Sequence, residues 1–409
     1  MRTRTFALGV LFAAGLLPGS RLEASPADPR SLVGLWEAVV VANGVAVPFP
    51  FEIEVEGGSV KGSFFNGERR VTSTASELEG EVLSLRFAQY ASTLRAHLKD
   101  GALEGEYVRP RDTYPFRAVR ASDRAPSSPD GIPSLEGEWI ASADSNKGES
   151  AWRFLARQKG ASVEATLLRV DGDTGTLTGS LRDGRFILSH FSGARPLLLE
   201  VTPLEDGTLR LLLNGKTELR AARAGTEAAT TIGAPTDPGR HTAMKDPSEP
   251  LRFSFPDLEG RTVSNTDERF QGKVVLVNIS GSWCPNCHDE APFLAALYRK
   301  YRARGLEVVS LSFEEGEQLK NPERLRAFLA TYGIDYTVLL AGEPKELSEK
   351  VPQAVNLNAF PTTFLVGRDG LVHGVHAGFP SPGSGRFYEE AEREITEEVE
   401  RLLAEGESS

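Results

Sequence analysis

The chain has 409 residues, 40% hydrophobic and 25% charged, with a net charge of −11. That length suits two to four domains, each large enough to bury its own core. The acidic balance speaks against nucleic acid, whose phosphates need a basic surface, and against a polybasic membrane patch.

Arg2 and Arg4 precede a twelve-residue apolar run, Phe6 to Leu17, followed by Pro18-Gly19. The run is too short to span a bilayer and has the form of a secretory signal, so residues 1–27 read as a leader cleaved after Ala24 or Ala27. An uncleaved N-terminal anchor is the alternative. No cysteine follows the run to carry a lipid, and no other apolar stretch approaches spanning length. The expected product is exported to a periplasm or cell envelope, with no membrane span after cleavage.

Residues 31 to 224 contain an internal repeat. Ser31-Leu32-Val33-Gly34-Leu35-Trp36 matches Ser134-Leu135-Glu136-Gly137-Glu138-Trp139, and Val119-Arg120-Ala121 matches Ala222-Arg223-Ala224 at the same offset of 103. A period this long indicates duplicated domains, here 31–123 and 134–225, rather than a solenoid. Alternation in Phe51-Glu52-Ile53-Glu54-Val55 and Leu94-Arg95-Ala96-His97-Leu98 predicts antiparallel strands. Turn signals such as Asn66-Gly67, Asp183-Gly184 and Asn214-Gly215 recur every 8–12 residues. Seven or eight strands per copy are expected, as a small barrel, a sandwich, or one larger barrel formed jointly. Trp36 and Trp139 are expected to begin core strands. Proline-rich linkers are expected at Ser122–Pro133 and over 226–250.

From Leu251 strands and helices alternate, predicting an α/β domain over 251–405. Val274 to Ile279 reads as a buried strand, and Asp289 to Tyr298 as a helix with apolar residues at helical spacing. Leu306–Phe313, Tyr336–Leu340, Thr362–Val366 and Leu371–His376 read as strands. Asn321-Pro322-Glu323 reads as a helix start with Asn321 as the cap, and 384–405 as a closing helix with an acidic, solvated outer face.

Between the first strand and helix lies Trp283-Cys284-Pro285-Asn286-Cys287-His288, which holds both cysteines of the chain. A Cys-x-x-Cys there puts the first sulfur at a helix N-terminus, where free amides and the helix dipole stabilise a thiolate. Cys287 lies on the same face of the first turn and is placed to close a disulfide with Cys284. A bridge at this spacing restrains little of the unfolded chain, and an exported protein with two cysteines has no disulfide framework. Redox chemistry is therefore expected of the pair. His288 lies one turn from Cys284, either as an imidazolium beside a thiolate or as a surface residue. Six scattered histidines give no zinc spacing, and no metal or other cofactor is expected.

The order of elements resembles the thioredoxin fold, and more narrowly the TlpA/ResA-like, redoxin-type exported thioredoxins. The resemblance rests on Phe255-Pro256-Asp257-Leu258-Glu259-Gly260, on Gly272-Lys273-Val274-Val275-Leu276-Val277-Asn278, on Trp283 through Pro292, and on Phe360-Pro361-Thr362-Thr363-Phe364. It implies a thiol–disulfide oxidoreductase acting on protein disulfides and dithiols, supplied by an upstream thiol electron donor. It makes Cys284 the nucleophile, Cys287 the resolving thiol, Pro361 a cis-proline facing the pair, and Glu290 a carboxylate near the disulfide. Trp283, Pro285, Asn286 and Thr362 are expected to support the site. Asn278 stands where general thioredoxins carry an aspartate, which shifts the proton-handling role toward Glu290 or water. Two rivals remain: a thiol peroxidase, whose Pro-x-x-x-Thr/Ser-x-x-Cys context the residues before Cys284 lack, and an envelope binding protein whose β repeats do the recognition.

Overall fold

The computed structural model describes residues 28–121, 131–143 and 145–405; the expected leader and residues 122–130 of the first linker lie outside these. The first β unit has nine strands: Gly34–Ala42, Val45–Glu56, Ser59–Asn66, Arg69–Thr72, Ala75–Glu79, Val82–Phe87, Ser92–Lys99, Ala102–Val108 and Thr113–Arg120. Each pairs with its chain neighbour except the fourth with the fifth, and the first pairs with the ninth. The result is a curled sheet left open between its fourth and fifth strands. Alternation drives it: Phe51, Ile53, Leu94 and Ala96 point inward while their neighbours face water.

Nine strands also form the second unit: Gly137–Ser142, Ala151–Lys159, Ser162–Arg169, Gly172–Asp173, Leu177–Arg182, Arg185–His190, Leu197–Pro203, Leu209–Leu213 and Thr217–Arg223. Here the third strand pairs with both the second and the fifth, so eight strands close into a barrel. The fourth strand, two residues long, hangs outside the ring on the edge of the third. Sandwich and joint-barrel alternatives are thereby replaced by two separate sheets. The expected seven or eight strands become nine because short fourth strands carry too few residues to show a period.

The two units open alike. Trp36 and Trp139 donate their indole N–H to Leu32 O (3.0 Å) and Leu135 O (2.9 Å). Arg120 and Arg223 each lie 4.2 Å over those rings. The units are joined by Phe191, which leaves the second barrel and packs into the core of the first sheet, 4.9 Å from Phe49 and 5.1 Å from Phe64 between ring centroids.

The C-terminal part is a five-stranded sheet in the order Thr337–Gly342, Leu306–Phe313, Val274–Ser280, Thr362–Val366, Val372–Ala377. The first three strands are parallel and the last two antiparallel. Helices Pro285–Tyr301, Glu323–Tyr332 and Arg386–Glu405 cover one face. Phe253, Phe270, Leu347 and their neighbours cover the other. Buried on both faces, the central strand is an apolar run with Asn278 and the terminal Ser280 as its exceptions. Asn321 does not cap the helix Glu323–Tyr332. It ends a preceding helix, Gly316–Lys320, and Pro322 precedes Glu323. The stretch 226–250, expected as a linker, holds helices Glu227–Ile232 and Pro238–His241 and a strand, Ala243–Met244, paired with Ala354–Val355.

Candidate functional site

The central strand ends at Ser280, and the chain turns through Gly281-Ser282-Trp283 into the helix starting at Pro285. Cys284 is the N-cap, so its Sγ accepts the N–H of Cys287 at 3.4 Å, and its own S–H donates to Phe360 O at 3.3 Å. Both thiols are free, and both are closed off from solvent, 0% and 1% exposed. Burial pushes the Cys284 thiol up, but hydrogen bonding at Cys287 and the positive field of Arg195 outweigh it, leaving the thiol below the ordinary cysteine range. Burial and the adjoining Cys284 sulfur push Cys287 well above that range. Cys284 is thus the more readily ionised of the two thiols, and the better nucleophile.

The peptide bond Phe360–Pro361 is cis and brings this loop against Cys284. Pro361 O accepts the N–H of Gly378, and Thr362 Oγ1 donates to Ala359 O (2.9 Å), fixing the loop from both sides. Trp283 donates to Phe313 O at 2.8 Å and packs edge-on against Phe360. Pro285 and Asn286 form the first turn, with the Asn286 amide buried.

Glu290 is buried three residues beyond Cys287. Its Oε2 accepts from Asn278 Nδ2 (2.7 Å) and its Oε1 from Thr363 Oγ1 (2.9 Å). Burial pushes its carboxyl up to about 7, against the pull of those two donors. The carboxyl therefore changes protonation near neutral pH, three residues along the helix from Cys287. Asn278 is part of this cluster rather than an empty substitute for a base.

His288 is neither an exposed residue nor a cation near the thiolate. It is buried, stacked on Tyr90 at 4.3 Å, with Nδ1 on the Tyr332 hydroxyl and Nε2 on Ser282 O, both at 2.9 Å. Burial drives its pKa down to about 3, so the ring is neutral. A one-turn offset placed it correctly along the helix but carried no information about the aromatic residue that covers it.

Several neighbours carry no sequence signal of their own. Glu314, fully buried, accepts from Ser282 N and Oγ (both 2.7 Å) and pairs with buried Arg324 at 2.9 Å, clamping the turn before the cysteines. Thr363 is separable from Thr362 by strand alternation, which sends adjacent side chains to opposite faces. The β units supply the rest. Arg69 pairs with Asp289 at 2.7 Å and donates to His288 O. Burial pushes Asp289 up to about 7 against that pull. From the second unit, Asp171 O accepts from Asn286 Nδ2 (2.5 Å), and Asp173 holds Ser381 and Ser384. Among the described residues no three His, Cys, Asp or Glu side chains are grouped to hold a metal.

Three comparisons bear on this site. Residues 245–391 match the Redoxin family model. The thiol-disulfide oxidoreductase ResA of Bacillus thuringiensis (strain Al Hakam) is 31% identical over 130 residues, 32% of this chain and 68% of that protein. The ResA of Geobacillus thermodenitrificans (strain NG80-2) is 31% identical over 137 residues, 34% of this chain and 72% of that protein. Among solved structures, a putative thiol:disulfide interchange protein DsbE from Chlorobium tepidum is 24% identical, with a TM-score of 0.32 over 39% of this chain and 99% of that one.

Proposed function

This chain belongs to the ResA-like, redoxin-type thiol–disulfide oxidoreductases, and on that premise we propose that it is an exported enzyme reducing disulfides of partner proteins through Cys284 and Cys287. The Cys284 thiolate attacks one sulfur of a partner disulfide, breaking that S–S bond and forming a mixed disulfide as a partner thiolate leaves. Cys287 then passes its proton to the Glu290 carboxylate and attacks Cys284 Sγ, releasing the second partner thiolate and leaving a Cys284–Cys287 disulfide. Two electrons have passed to the partner, and an upstream thiol donor restores the dithiol. The two sulfurs are the redox group; no other cofactor is involved. Export is proposed from the secretory form of residues 1–27, and the alternative, in which the β repeats do the recognition, is supported by their contacts with Asn286 and Asp289.

The observation that carries this reading is the geometry of the pair: Cys284 Sγ caps the helix, accepts the Cys287 N–H at 3.4 Å and faces the cis-proline loop through Phe360 O at 3.3 Å. The test is a redox titration of the pair in glutathione or dithiothreitol buffers, together with trapping. A midpoint near thioredoxin's, about −270 mV or lower, is expected of a reductant, whereas one near about −120 mV would make the protein an oxidant. Cys287→Ser is expected to accumulate mixed disulfides and Cys284→Ser to form none. A pair that fails to titrate overturns the reading.

A further inference from the structure

A thiol that attacks a partner disulfide has to be reachable, yet Cys284 is fully buried. What lies beside it is a piece of the second β unit. Val170, 1% exposed, packs on Ala359 and Ala377, the residues flanking the cis-proline loop. Gly172 forms a parallel bridge with Phe379, and Asp171 O takes the Asn286 amide from between the two cysteines. Asp173 Oδ2 accepts from Ser381 N and Oγ (both 2.8 Å) and from Ser384 Oγ (2.5 Å). These residues form the short fourth strand and its approach, the part left outside the closed ring of eight. Lifting it off leaves the ring of eight intact; within its own unit the strap is held by the two-residue pairing, by Val170 N on the Glu149 carboxylate (2.7 Å) and by the Asp171 ion pairs with Lys147 (2.6 Å) and Arg169 (3.3 Å). The corresponding hairpin of the first unit reaches the active-site helix through Asn66 Nδ2 (3.4 Å) and Arg69 (2.7 Å) on Asp289.

We infer that Val170–Asp173 is a resident strap in the groove that a partner's extended segment must enter, holding the exchange site shut until a partner displaces it. The strap pairs its backbone and lays one β-branched side chain beside the cis-proline, as an incoming protein strand would. Its anchors are hydrogen bonds to neutral donors and one backbone bridge, which a partner's own backbone can replace. Gly172 lets it lie so close: with φ +112°, a Cβ there would sit 2.0 Å from Asn286 Nδ2 and 2.3 Å from Phe379 O. The inference rests on the exchange reading above, since it concerns access to the same sulfur.

The test measures access alone. Reduced full-length protein is labelled with iodoacetamide and with a bulky maleimide–polyethylene glycol, and the rate at Cys284 is read by mass spectrometry. Gly172→Val ejects the strap sterically, and Asp173→Ala, the milder change, removes its carboxylate anchor. Each is expected to label at least about tenfold faster than the parent, since losing hydrogen bonds to a charged group shifts an opening equilibrium by that order. The larger effect is expected with the bulky reagent. Variants that fold, by circular dichroism, and label at the parent rate overturn the strap. Labelling needs no exchange, so a pair that does not titrate in redox buffers defeats the proposed function and leaves this result standing.

Discussion

Replacing Glu290 by Gln isolates the buried carboxyl beside the cysteine pair. The amide keeps an oxygen for Asn278 Nδ2 and offers an N–H to Thr363 Oγ1, so shape and hydrogen bonding survive. What is lost is the titration. A carboxyl raised from 4.5 to about 7 in the folded protein contributes stability that is fully present below pH 4.5 and lost as pH rises through about 7. The size of that shift corresponds to about 3 kcal/mol between the two protonation states. The parent is therefore expected to lose about 3 kcal/mol relative to Glu290→Gln between pH 4 and pH 8. Asp289, raised in the same direction, is present in both proteins and cancels in the difference. Urea unfolding of both proteins at the two pH values, with the thiols kept reduced, measures this. Parallel pH dependences would refute the assignment of the titrating group. The same variant is expected to slow disulfide exchange at pH 7 by about a hundredfold, the usual order for a lost general acid–base group.

Two further changes test how the site is held. Phe191→Ala empties the second unit's contact with the core of the first β sheet and is expected to cost about 3–5 kcal/mol in thermal or denaturant unfolding. A cost below about 1 kcal/mol would show that the two β units do not depend on this plug. Glu314→Ala strips the carboxylate from buried Arg324 and from both Ser282 donors. It is expected to destabilise by about 3 kcal/mol, the lower end of the range for a broken buried pair, because Glu315 still reaches Arg324 at 2.8 Å. An unchanged melting temperature would remove Glu314 as the clamp of the active-site turn.

The α/β part was legible because its signals are local and periodic. A buried strand, a cysteine pair and an apolar-faced helix follow one another directly, and Cys284 becomes the helix N-cap where the spacing placed it. The β units were legible as repeated antiparallel strands for the same reason, their alternation being set by one buried face. Illegible was everything that depends on two distant segments meeting. Nothing at Tyr90 announces that its ring covers His288, and no pattern within 170–173 marks it as lying against the turn of Cys284, more than a hundred residues later. Glu314 follows an apolar strand and reads as a strand end, although its carboxylate is wholly enclosed. Asn321-Pro322 carried a sound cap pattern, but the preceding residues already formed a helix and took Asn321 as its end.

The opening in the first β sheet has a consequence for how the protein behaves in company. The strands bordering it, Arg69–Thr72 and Ala75–Glu79, are edge strands, each paired on one side only, which is the arrangement that invites pairing with another chain. Short edges with charged side chains discourage such pairing, and here Arg70, Glu77 and Glu79 face outward along them. Ser73 ties the corner between the two to Gly62, through Ser73 N to Gly62 O (2.8 Å) and Gly62 N to the Ser73 hydroxyl (3.1 Å). The second barrel has joined its third strand to its fifth and needs no such guard. Resistance to edge-to-edge aggregation is thus a matter of side-chain charge in one unit and of hydrogen-bond closure in the other.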